Sequence, residues 1–258
     1  MNEKLSSYLS ARDYDGITRG CIDWIRNWFA ENGPSSPAVI GVSGGKDSSV
    51  VSALCKEALG KDRVFGVLMP NAVQPDIDYS RLLVEHLGIA HAEINIAEAV
   101  NGVRNSIRAG GLDFTDQMTI NLPPRIRMTT LYAVSQCMNG RVSNNCNRSE
   151  NYVGYSTIFG DAAGDFSPLA NLTVAEVKIL GRCLGLPEMF IEKPPSDGLT
   201  DRTDEDNFGF SYEALDTYIL TGFCPDDAVR ERIEKRHKAN LFKLRPMPEY
   251  VFDAKESR

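Results

Sequence analysis

The amino-acid sequence predicts an α/β protein with a Rossmann-like, doubly wound parallel sheet flanked by helices. Along the first 110 residues, short apolar runs rich in β-branched residues alternate with longer segments of helical periodicity. Strands separated by helices form βαβ units, which build parallel sheets covered by helices on both faces. A glycine-containing turn follows the first apolar run. Because ligands of such sheets bind beyond the carboxyl ends of the strands, this turn is where we expect the functional site.

The first strand and its turn have the composition of an anion-binding site. Residues 38–42 are apolar and predict a buried strand, after which Ser43-Gly44-Gly45 turns the chain. Glycines allow positive φ and let backbone N–H groups approach a ligand closely. Helical periodicity then runs from Asp47 to a stop at Gly60. A strand, a glycine turn and a helix N-terminus together indicate a site for an anion such as phosphate.

This turn is not a Walker A loop. That motif requires a glycine six residues before its lysine and a Ser or Thr directly after it. Here Ile40 stands six residues before Lys46, and Asp47 follows that lysine. The turn also lacks the GxGxxG spacing of dinucleotide-binding folds. Phosphate binding at this turn therefore requires a different motif.

The other elements follow from apolar periodicity and from helix start and stop signals. Pro123-Pro124 predicts the start of a helix, and Thr173 with Glu176 forms a capping box that predicts another. Residues 110–121 are polar, and the long polar stretch 192–210 is typical of a mobile lid, a binding loop or disorder. We expect further strands at 63–69, 92–96 and 141–143, and helices at 15–32, 76–87, 97–109, 123–134, 173–184, 211–221 and 226–239.

Composition excludes several classes of function. With 42% hydrophobic residues among 258, the chain has the composition of an ordinary globular protein with an ample core. Its net charge is −7 and it has no basic run, so we expect no nucleic-acid partner. The six cysteines lack metal-ligand spacing, which favours reduced thiols in a cytoplasmic protein. The N-terminus is polar and no apolar run is long enough to span a bilayer, so we expect no membrane partner.

The turn and several later blocks resemble known enzymes. Ser43-Gly44-Gly45-Lys46-Asp47-Ser48 resembles the pyrophosphate loop of the N-type ATP pyrophosphatases. In order along nearly the whole chain, further blocks resemble the ammonia-dependent NAD synthetases of that superfamily. The resemblance implies an adenine nucleotide α-hydrolase-like version of the predicted fold. The blocks are Arg125-Ile126-Arg127-Met128, Asn147-Arg148-Ser149-Glu150, Gly154-Tyr155, Gly160-Asp161, Asp165, Lys193-Pro194-Pro195-Ser196, Asp204-Glu205 and Gly209-Phe210-Ser211-Tyr212.

The resemblance implies an ATP-dependent ligase that amidates deamido-NAD with ammonia. The nicotinate carboxylate would attack the α-phosphorus of ATP, giving an acyl-adenylate and pyrophosphate. Ammonia would then displace AMP and leave NAD. A glutamine-using enzyme needs a glutaminase domain, whereas the synthetase pattern fills residues 1–258. We therefore expect a single NAD synthetase-type domain that uses ammonia directly, and the family is typically homodimeric.

The resemblance also implies which residues bind ATP and its metal ion. Asp47 and Glu150 resemble the family's Mg²⁺ ligands, and carboxylate oxygens suit that ion. Lys46 occupies the variable position of the loop, so we expect only an auxiliary role at the phosphates. Asp47, Glu150 and Lys46 are the candidate catalytic residues. The candidate ATP-binding residues are Gly41, Val42, Ser43, Gly44, Gly45, Lys46, Asp47, Ser48, Asn145 and Ser196.

Four residues are candidates for the dinucleotide site. Arg125 and Arg127 lie two apart on a helix and so point in different directions, and the residues alone do not choose between them. The resemblance selects Arg125, together with Asp165, Phe242 and Lys243, as the residues that contact deamido-NAD.

Three positions depart from the family pattern. Asn145 replaces a threonine that contacts ATP, Ile158 replaces a lysine on the dinucleotide side, and Val174 replaces a lysine that approaches the ATP phosphates. The last change weakens nucleotide binding unless Lys46, Arg148 or Lys178 supplies the charge. Two alternatives therefore stay open: a related ligase acting on a different carboxylate, and a non-catalytic nucleotide-binding paralogue.

Overall fold

The fold is built on a four-stranded parallel sheet with the strand order β3-β2-β1-β4. The computed structural model describes residues 2–193, 204–250 and 252. The central strand β1 pairs in parallel with β2 on one side and with β4 on the other, so that Val39 lies between Phe65 and Val142. The strands are β1 (Ala38–Gly41), β2 (Val64–Leu68), β3 (Ala90–Glu93) and β4 (Arg141–Val142).

Helices cover both faces of this sheet. In the described part of the chain they are α1 (Glu3–Ser10), α2 (Tyr14–Asn32), α3 (Lys46–Leu59), α4 (Ile77–Leu87), α5 (Ala97–Ala109), α6 (Asp116–Cys137), α7 (Arg148–Val153), α8 (Val174–Cys183), α9 (Glu188–Ile191), α10 (Asp204–Phe208), α11 (Tyr212–Thr221) and α12 (Asp227–Asn240). Short 3₁₀ turns cover Lys61–Arg63 and Leu241–Leu244.

The alternation of side chains along β1 divides the core into two layers. Ala38 and Ile40 are fully buried in one cluster, with side chains of α2, α3, α4 and α8. Val39 points to the opposite face and belongs to a second cluster, with side chains of α5 and α6. A strand that is apolar on both faces is typical of a parallel sheet buried between helices. The predicted doubly wound α/β fold is therefore confirmed.

The third strand was predicted two residues too late. It spans Ala90–Glu93, where Phe65 pairs with Ala90 and Leu68 with Glu93. The apolar residues that suggested the later position continue the ladder irregularly, because the N–H groups of Ile94 and Ile96 still donate to the carbonyls of Leu68 and Pro70. The predicted strand thus began inside the real one and extended past its end.

The prediction that a helix starts at Pro123-Pro124 was wrong. Helix α6 begins at Asp116, and the Thr115 side chain accepts a hydrogen bond from the N–H of Met118. Both prolines lie inside the helix. Proline favours the first turn of a helix because it lacks an N–H, and that preference made an internal pair resemble a start. The preceding stretch 110–121, noted from the sequence only as polar, is helical from Asp116 onward.

Two polar stretches also contain helices that periodicity did not reveal. Helix α7 follows Asn147, whose side chain accepts from the N–H of Glu150 in a capping box. Helix α10 lies within the predicted loop 192–210, and residues 194–203 of that loop lie outside the described residues. Helices of six and five residues are too short to show a hydrophobic period.

In the described part of the chain, no helix is both long enough and apolar enough to cross a bilayer. All six cysteines are free thiols. Burial raises the pKa of Cys55 and of Cys146, and the Cys21 pKa is raised by burial to about 11. The thiols of Cys21, Cys55 and Cys146 are therefore protonated and poorly nucleophilic at neutral pH.

Candidate active site

The predicted phosphate loop connects β1 to α3 at the carboxyl edge of the sheet. Gly44 adopts φ +69°, the left-handed conformation that favours glycine. A Cβ at this position would lie 2.7 Å from the backbone N of Ser80 and 2.7 Å from the Cβ of Tyr79. The loop therefore packs directly on the first turn of α4, at a separation that only glycine permits.

Hydroxyl groups hold the loop in shape from within. The Ser48 hydroxyl accepts from the N–H of Ser43 at 3.2 Å, and the Ser43 hydroxyl accepts from the N–H of Gly45 at 3.3 Å. Ser49 donates its hydroxyl proton to the carbonyl of Gly45 at 2.8 Å. Gly45 is the N-cap of α3 and offers no side-chain acceptor to the first-turn N–H groups. Those N–H groups, with the positive end of the helix dipole, are therefore available to an anion.

The fold brings Asp47 and Glu150 together although they are 103 positions apart in the chain. Helix α7 follows β4, which neighbours β1, so its first turn faces the first turn of α3. Asn147 joins the two carboxylates: its Nδ2 donates to Asp47 at 3.0 Å and its backbone N donates to Glu150 at 3.3 Å. The Lys46 ammonium lies 2.9 Å from Asp47 and 4.0 Å from Glu150.

This group of charges is largely withdrawn from water. The Lys46 side chain is 8% exposed, and those of Asp47 and Glu150 are 19% and 16% exposed. Burial, together with the charge of Asp47, raises the pKa of Glu150 to about 8. Burial alone would lower the pKa of Lys46, but the neighbouring carboxylates outweigh it and hold that pKa above its usual value. Lys46 is thus a permanent cation whose charge offsets those of the acids.

Two further residues complete the wall of this charged site. Asp204 and Tyr212 are both buried, and the Tyr212 hydroxyl donates to Asp204 at 2.9 Å. The Tyr212 ring centroid lies 5.6 Å from the Lys46 ammonium. Burial and the nearby charges of Glu150 and Asp204 raise the pKa of Tyr212. Sequence reasoning assigned no role to this pair, whose proximity to Lys46 depends on how α10 and α11 pack.

The two carboxylates fit a magnesium ion. Their oxygens flank an ammonium cation, so the site already accommodates positive charge between them. Among the described residues, no group of three or more His, Cys, Asp or Glu could hold a metal ion. Mg²⁺ does not need such a group, because it is commonly bound by one or two carboxylates and completed by water and substrate phosphates. The donor set therefore suits an ion that arrives with a nucleotide.

Of the other predicted ATP contacts, Asn145 lies at the loop and Ser196 lies outside the described residues. The Asn145 amide donates to the carbonyl of Gly41 at 3.0 Å and accepts from the Ser143 hydroxyl at 2.8 Å. Gly41 ends β1 and Val42 continues its ladder by donating to Val67. Asn145 therefore bridges β1 and the chain after β4, which is a structural use for the residue that departs from the family pattern.

The two arginines of α6 face different surroundings, as their spacing predicted. Arg125 is exposed and its Nε donates to the carbonyl of Ile158 at 3.3 Å. Arg127 is more buried and its Nε donates at 3.1 Å to the carbonyl of Met69, just beyond β2. Burial lowers the Arg127 pKa. Arg125 thus faces the segment expected to meet the dinucleotide, and Arg127 supports the carboxyl end of the sheet.

An open cavity of about 510 Å³ lies beside Tyr132, whose hydroxyl donates to Asp165. Met128, Tyr132, Phe159 and Ala163 are among its lining residues. The Phe159 side chain is 65% exposed, and its backbone has φ 60°, which is rare outside glycine. Sequence reasoning missed Phe159, since no periodicity or motif marks a strained residue in a turn. An exposed aromatic ring held by strained backbone at a cavity is typical of a binding site.

Asp165 and Lys243 both have structural partners. Asp165 accepts from the Tyr132 hydroxyl at 3.0 Å and from the N–H of Val142 at 2.7 Å. The Lys243 ammonium donates to the carbonyls of Gly154 and Ser156 at 2.7 and 2.9 Å, and its neighbour Phe242 is 61% exposed. The structure therefore brings the predicted C-terminal pair to the Gly154-Tyr155 block, with most of the Lys243 donors already used.

Val174 stands where the family pattern has a lysine, and Lys178 does not supply the missing positive charge. Val174 is buried in an apolar cluster with Phe208, Phe210 and Leu215. Lys178 forms an ion pair with Glu192 at 2.5 Å and donates to no residue of the loop. Of the three cations named from the sequence, Lys46 is the one that the structure places among the predicted site carboxylates.

Comparison with known proteins gives consistent results. The family model described as NAD synthase matches residues 17–251. The NH(3)-dependent NAD(+) synthetase of Methanocaldococcus jannaschii is 40% identical over 78% of this chain and 80% of its own. The NMN synthetase of Francisella tularensis matches with a TM-score of 0.85 and 32% identity, covering 93% of this chain and 100% of its own. The NH3-dependent NAD synthetase of Campylobacter jejuni matches with a TM-score of 0.74 and 31% identity, covering 93% and 99%.

Proposed function

The chain belongs to the NAD synthase family and is a ligase that forms carbon–nitrogen bonds, and we propose that it amidates deamido-NAD with ammonia at the expense of ATP. The observation that carries this proposal is that the N-terminus of α3, which has no side-chain cap, lies beside the carboxylates of Asp47 and Glu150. One feature suits phosphate oxygens and the other suits the cation that accompanies them.

The chemistry addresses the low reactivity of a carboxylate toward amines. One nicotinate oxygen attacks the α-phosphorus of ATP, an O–P bond forms, and the bond to pyrophosphate breaks. The acyl carbon of the resulting adenylate is electrophilic, because AMP is a good leaving group. Ammonia forms the C–N bond, loses a proton and expels AMP, which keeps the transferred oxygen. The products are NAD, AMP and pyrophosphate.

The loop residues position the pyrophosphate portion of ATP. The N–H groups at the start of α3 donate to the leaving group as negative charge accumulates on it, and the hydroxyls of Ser43 and Ser48 hold the loop that presents them. The Lys46 ammonium lies beside the same loop and adds a buried positive charge. Fixed donors of this kind stabilise the transition state without reorganising at the moment of reaction.

Asp47 and Glu150 would hold Mg²⁺. When bound, this ion neutralises charge on the phosphates and makes the α-phosphorus easier to attack. Asn147 orients both carboxylates through its amide and backbone N–H groups. Residues that orient metal ligands in this way are often nearly as important for metal affinity as the ligands themselves.

The cavity beside Tyr132 is the proposed site of the pyridine ring. Its aromatic and aliphatic lining suits a flat heterocycle, with Phe159 offering an exposed face. Arg125 lies on the same helix as Met128 and contacts the backbone of Ile158, next to Phe159. Its guanidinium is therefore placed to meet a carboxylate or a phosphate of the ligand.

A second candidate is the corresponding amidation of the mononucleotide. The match to the NMN synthetase has a higher TM-score than the match to the NAD synthetase, at nearly the same sequence identity. A dinucleotide also carries a second nucleotide that needs further contacts. Ile158 offers no charge for it, and Lys243 already donates to two backbone carbonyls. The adenylation chemistry is the same for both substrates.

The test is a substrate comparison with purified protein, ATP, Mg²⁺ and ammonium. We expect AMP and NAD in equal amounts from deamido-NAD, with a kcat/KM above that for nicotinate mononucleotide. A higher kcat/KM for the mononucleotide selects the second candidate. AMP formed only with some other carboxylic acid contradicts both. Mass measurement in solution tests the homodimer that we propose along with this activity.

A further inference from the structure

A lysine outside the assigned site residues contacts the phosphate loop. Lys193 follows α9, and its ammonium donates to the carbonyl of Ser43 at 3.3 Å and to the carboxylate of Asp76 at 2.6 Å. The same ammonium lies 4.8 Å from the centroid of the Tyr79 ring. Its side chain is only 8% exposed. A lysine 150 positions away in sequence thus connects the loop to the start of α4.

The burial of this ammonium shows that its contacts are specific. A buried charge is costly unless it is paired and hydrogen-bonded. Asp76 supplies the opposite charge, and although burial opposes it, the hydrogen bonds from Lys193 and Gln74 hold the Asp76 pKa below its usual value. An ammonium has three N–H donors. The Ser43 carbonyl accepts one of them, so the loop is part of the environment that makes this buried charge acceptable.

The contact with Ser43 determines the direction of the next N–H. The carbonyl of Ser43 and the N–H of Gly44 belong to one planar trans peptide, so they point in opposite directions. When Lys193 holds the carbonyl on the α4 side, the N–H of Gly44 faces away from α4. That N–H has no hydrogen-bond partner among residues 2–193, 204–250 and 252. It is therefore free to donate to an anion at the loop.

The peptide between Ser43 and Gly44 is also able to turn over. Gly44 has no Cβ and can adopt φ of either sign, so the loop alone does not fix the orientation of the preceding carbonyl. If the peptide turned over, the Ser43 carbonyl would face the ligand and repel phosphate oxygens. Holding this carbonyl therefore changes how well the loop binds an anion.

We propose that Lys193 is a positioning residue for ATP, because its ammonium, which also contacts Asp76 and Tyr79, holds the Ser43 carbonyl on the α4 side and so directs the Gly44 N–H toward the pyrophosphate portion. This inference rests on the proposed function, since it assumes that the loop binds ATP. It assigns Lys193 no contact with the second substrate.

The test measures Mg²⁺–ATP binding by titration calorimetry in wild type and Lys193→Met. Hydrogen bonds to charged groups contribute enough that we expect about a tenfold increase in Kd or more. Lys193→Arg keeps the charge and N–H donors, and it is expected to recover part of the affinity. Binding of deamido-NAD is expected to change by less than about twofold, since none of the residues that Lys193 contacts lines the cavity and an apolar side chain of similar length preserves the local packing.

Two controls separate this effect from general destabilisation. Lys178→Met removes another lysine of an ion pair, with Glu192, that does not contact the loop, and we expect its ATP affinity to equal that of wild type. Lys193→Met with Asp76→Asn avoids leaving the half-buried Asp76 carboxylate without its opposite charge. We expect this double variant to fold and to bind ATP as weakly as Lys193→Met alone.

Either of two results overturns the inference. Unchanged ATP affinity in folded Lys193→Met, with tight binding by wild type, overturns it and leaves the proposed function intact. A wild-type protein that binds no ATP overturns the proposed function and this inference together. Weaker ATP binding in Lys193→Met, with normal binding in Lys178→Met, supports it.

Discussion

At the scale of single residues, two glutamates show why local sequence does not identify a site. Glu150 and Glu176 each occupy the third position of a capping box, after Asn147 and after Thr173. Glu176 accepts from the backbone and hydroxyl of Thr173 and lies at the start of α8. Glu150 makes the equivalent local bond but also lies beside Asp47 and Lys46. The difference between them arises from tertiary structure.

This pair provides a matched test of the proposed metal ligand. Glutamine also forms capping boxes, so Glu150→Gln keeps the helix start while it removes the carboxylate. We expect this change to lower kcat/KM by at least about 100-fold, because losing even an outer partner of a metal ligand typically costs about 10- to 100-fold, and to weaken Mg²⁺ binding measured by calorimetry in the presence of ATP.

Glu176→Gln is the control for that experiment. It makes the same chemical change in the other capping box, and we expect kcat/KM to stay within a few-fold of wild type. Equal losses of activity in both variants would contradict the role of Glu150 as a metal ligand. Thermal unfolding of each variant shows whether the capping box is preserved.

Asp216 makes stability depend on pH. It lies on α11 and accepts from the Ser149 hydroxyl and, at 2.8 Å, from the N–H of Ala175, so it joins α11 to the starts of α7 and α8. Burial raises its pKa from 3.8 to about 6, against the opposing effect of these hydrogen bonds. A carboxyl that binds its proton more tightly when folded favours the folded state at low pH. That contribution is fully present below pH 3.8 and is lost as the pH rises through about 6.

We expect the free energy of unfolding of wild type, minus that of Asp216→Asn, to fall as the pH rises from 4 to 7. The loss is at most about 3 kcal/mol, at 1.36 kcal/mol per pKa unit. Urea denaturation at several pH values measures it, and the comparison cancels the titration of other carboxyl groups. A difference that is constant or that rises with pH would contradict the raised pKa.

At the scale of elements, the contact between the phosphate loop and α4 is the feature most sensitive to substitution. A methyl group on Gly44 would meet backbone atoms of Tyr79 and Ser80 at 2.7 Å and would also be strained at φ +69°. We expect Gly44→Ala to weaken ATP binding by at least about tenfold, because strain of this kind costs about 1–3 kcal/mol and the loop must move to relieve it. Titration calorimetry with Mg²⁺–ATP measures the change.

Gly185→Ala is the matched control for this substitution. Gly185 has nearly the same φ, +70°, but a Cβ there would meet no atom within 4 Å. We expect it to lower the free energy of unfolding by about 1 kcal/mol and to leave ATP affinity unchanged. If both variants bound ATP normally, the packing of the loop against α4 would not matter for binding.

Long helices could be predicted from the sequence, whereas short helices and one helix start could not. Periodicity and caps predicted α2, α4, α5, α8, α11 and α12 to within one or two residues, because long amphipathic helices repeat their pattern many times. The start of α6 was missed because Pro123-Pro124 is a stronger local signal than the threonine cap before it. Helix α7 was missed because six residues are too few to show a hydrophobic period. Its cap, Asn147, nevertheless donates to both proposed metal ligands.

At the scale of the whole molecule, the order of the strands creates the site. Because β4 returns beside β1, the helices that follow both strands start at the same edge and bring Asp47 to Glu150. Sequence motifs predicted these two residues through a family resemblance, and the structure places them together. Lys193 and Tyr212 stand in blocks that carry the resemblance but were assigned no role, and no motif marked Phe159, since the contacts of all three depend on the packing of distant segments.

In the proposed reaction, adenylation of a carboxylate precedes amidation. Only this order transfers an oxygen atom from the carboxylate to AMP. Hydrolysis of ATP by a binding protein or a phosphatase takes that oxygen from water.

The most direct test therefore uses deamido-NAD labelled with ¹⁸O in the nicotinate carboxylate, together with ATP, Mg²⁺ and ammonium. Mass spectrometry of the products measures the label in AMP, with Asp47→Asn as the inactive control. We predict one ¹⁸O atom in each AMP and one AMP for each NAD formed. Unlabelled AMP, or ADP as the nucleotide product, would contradict the account.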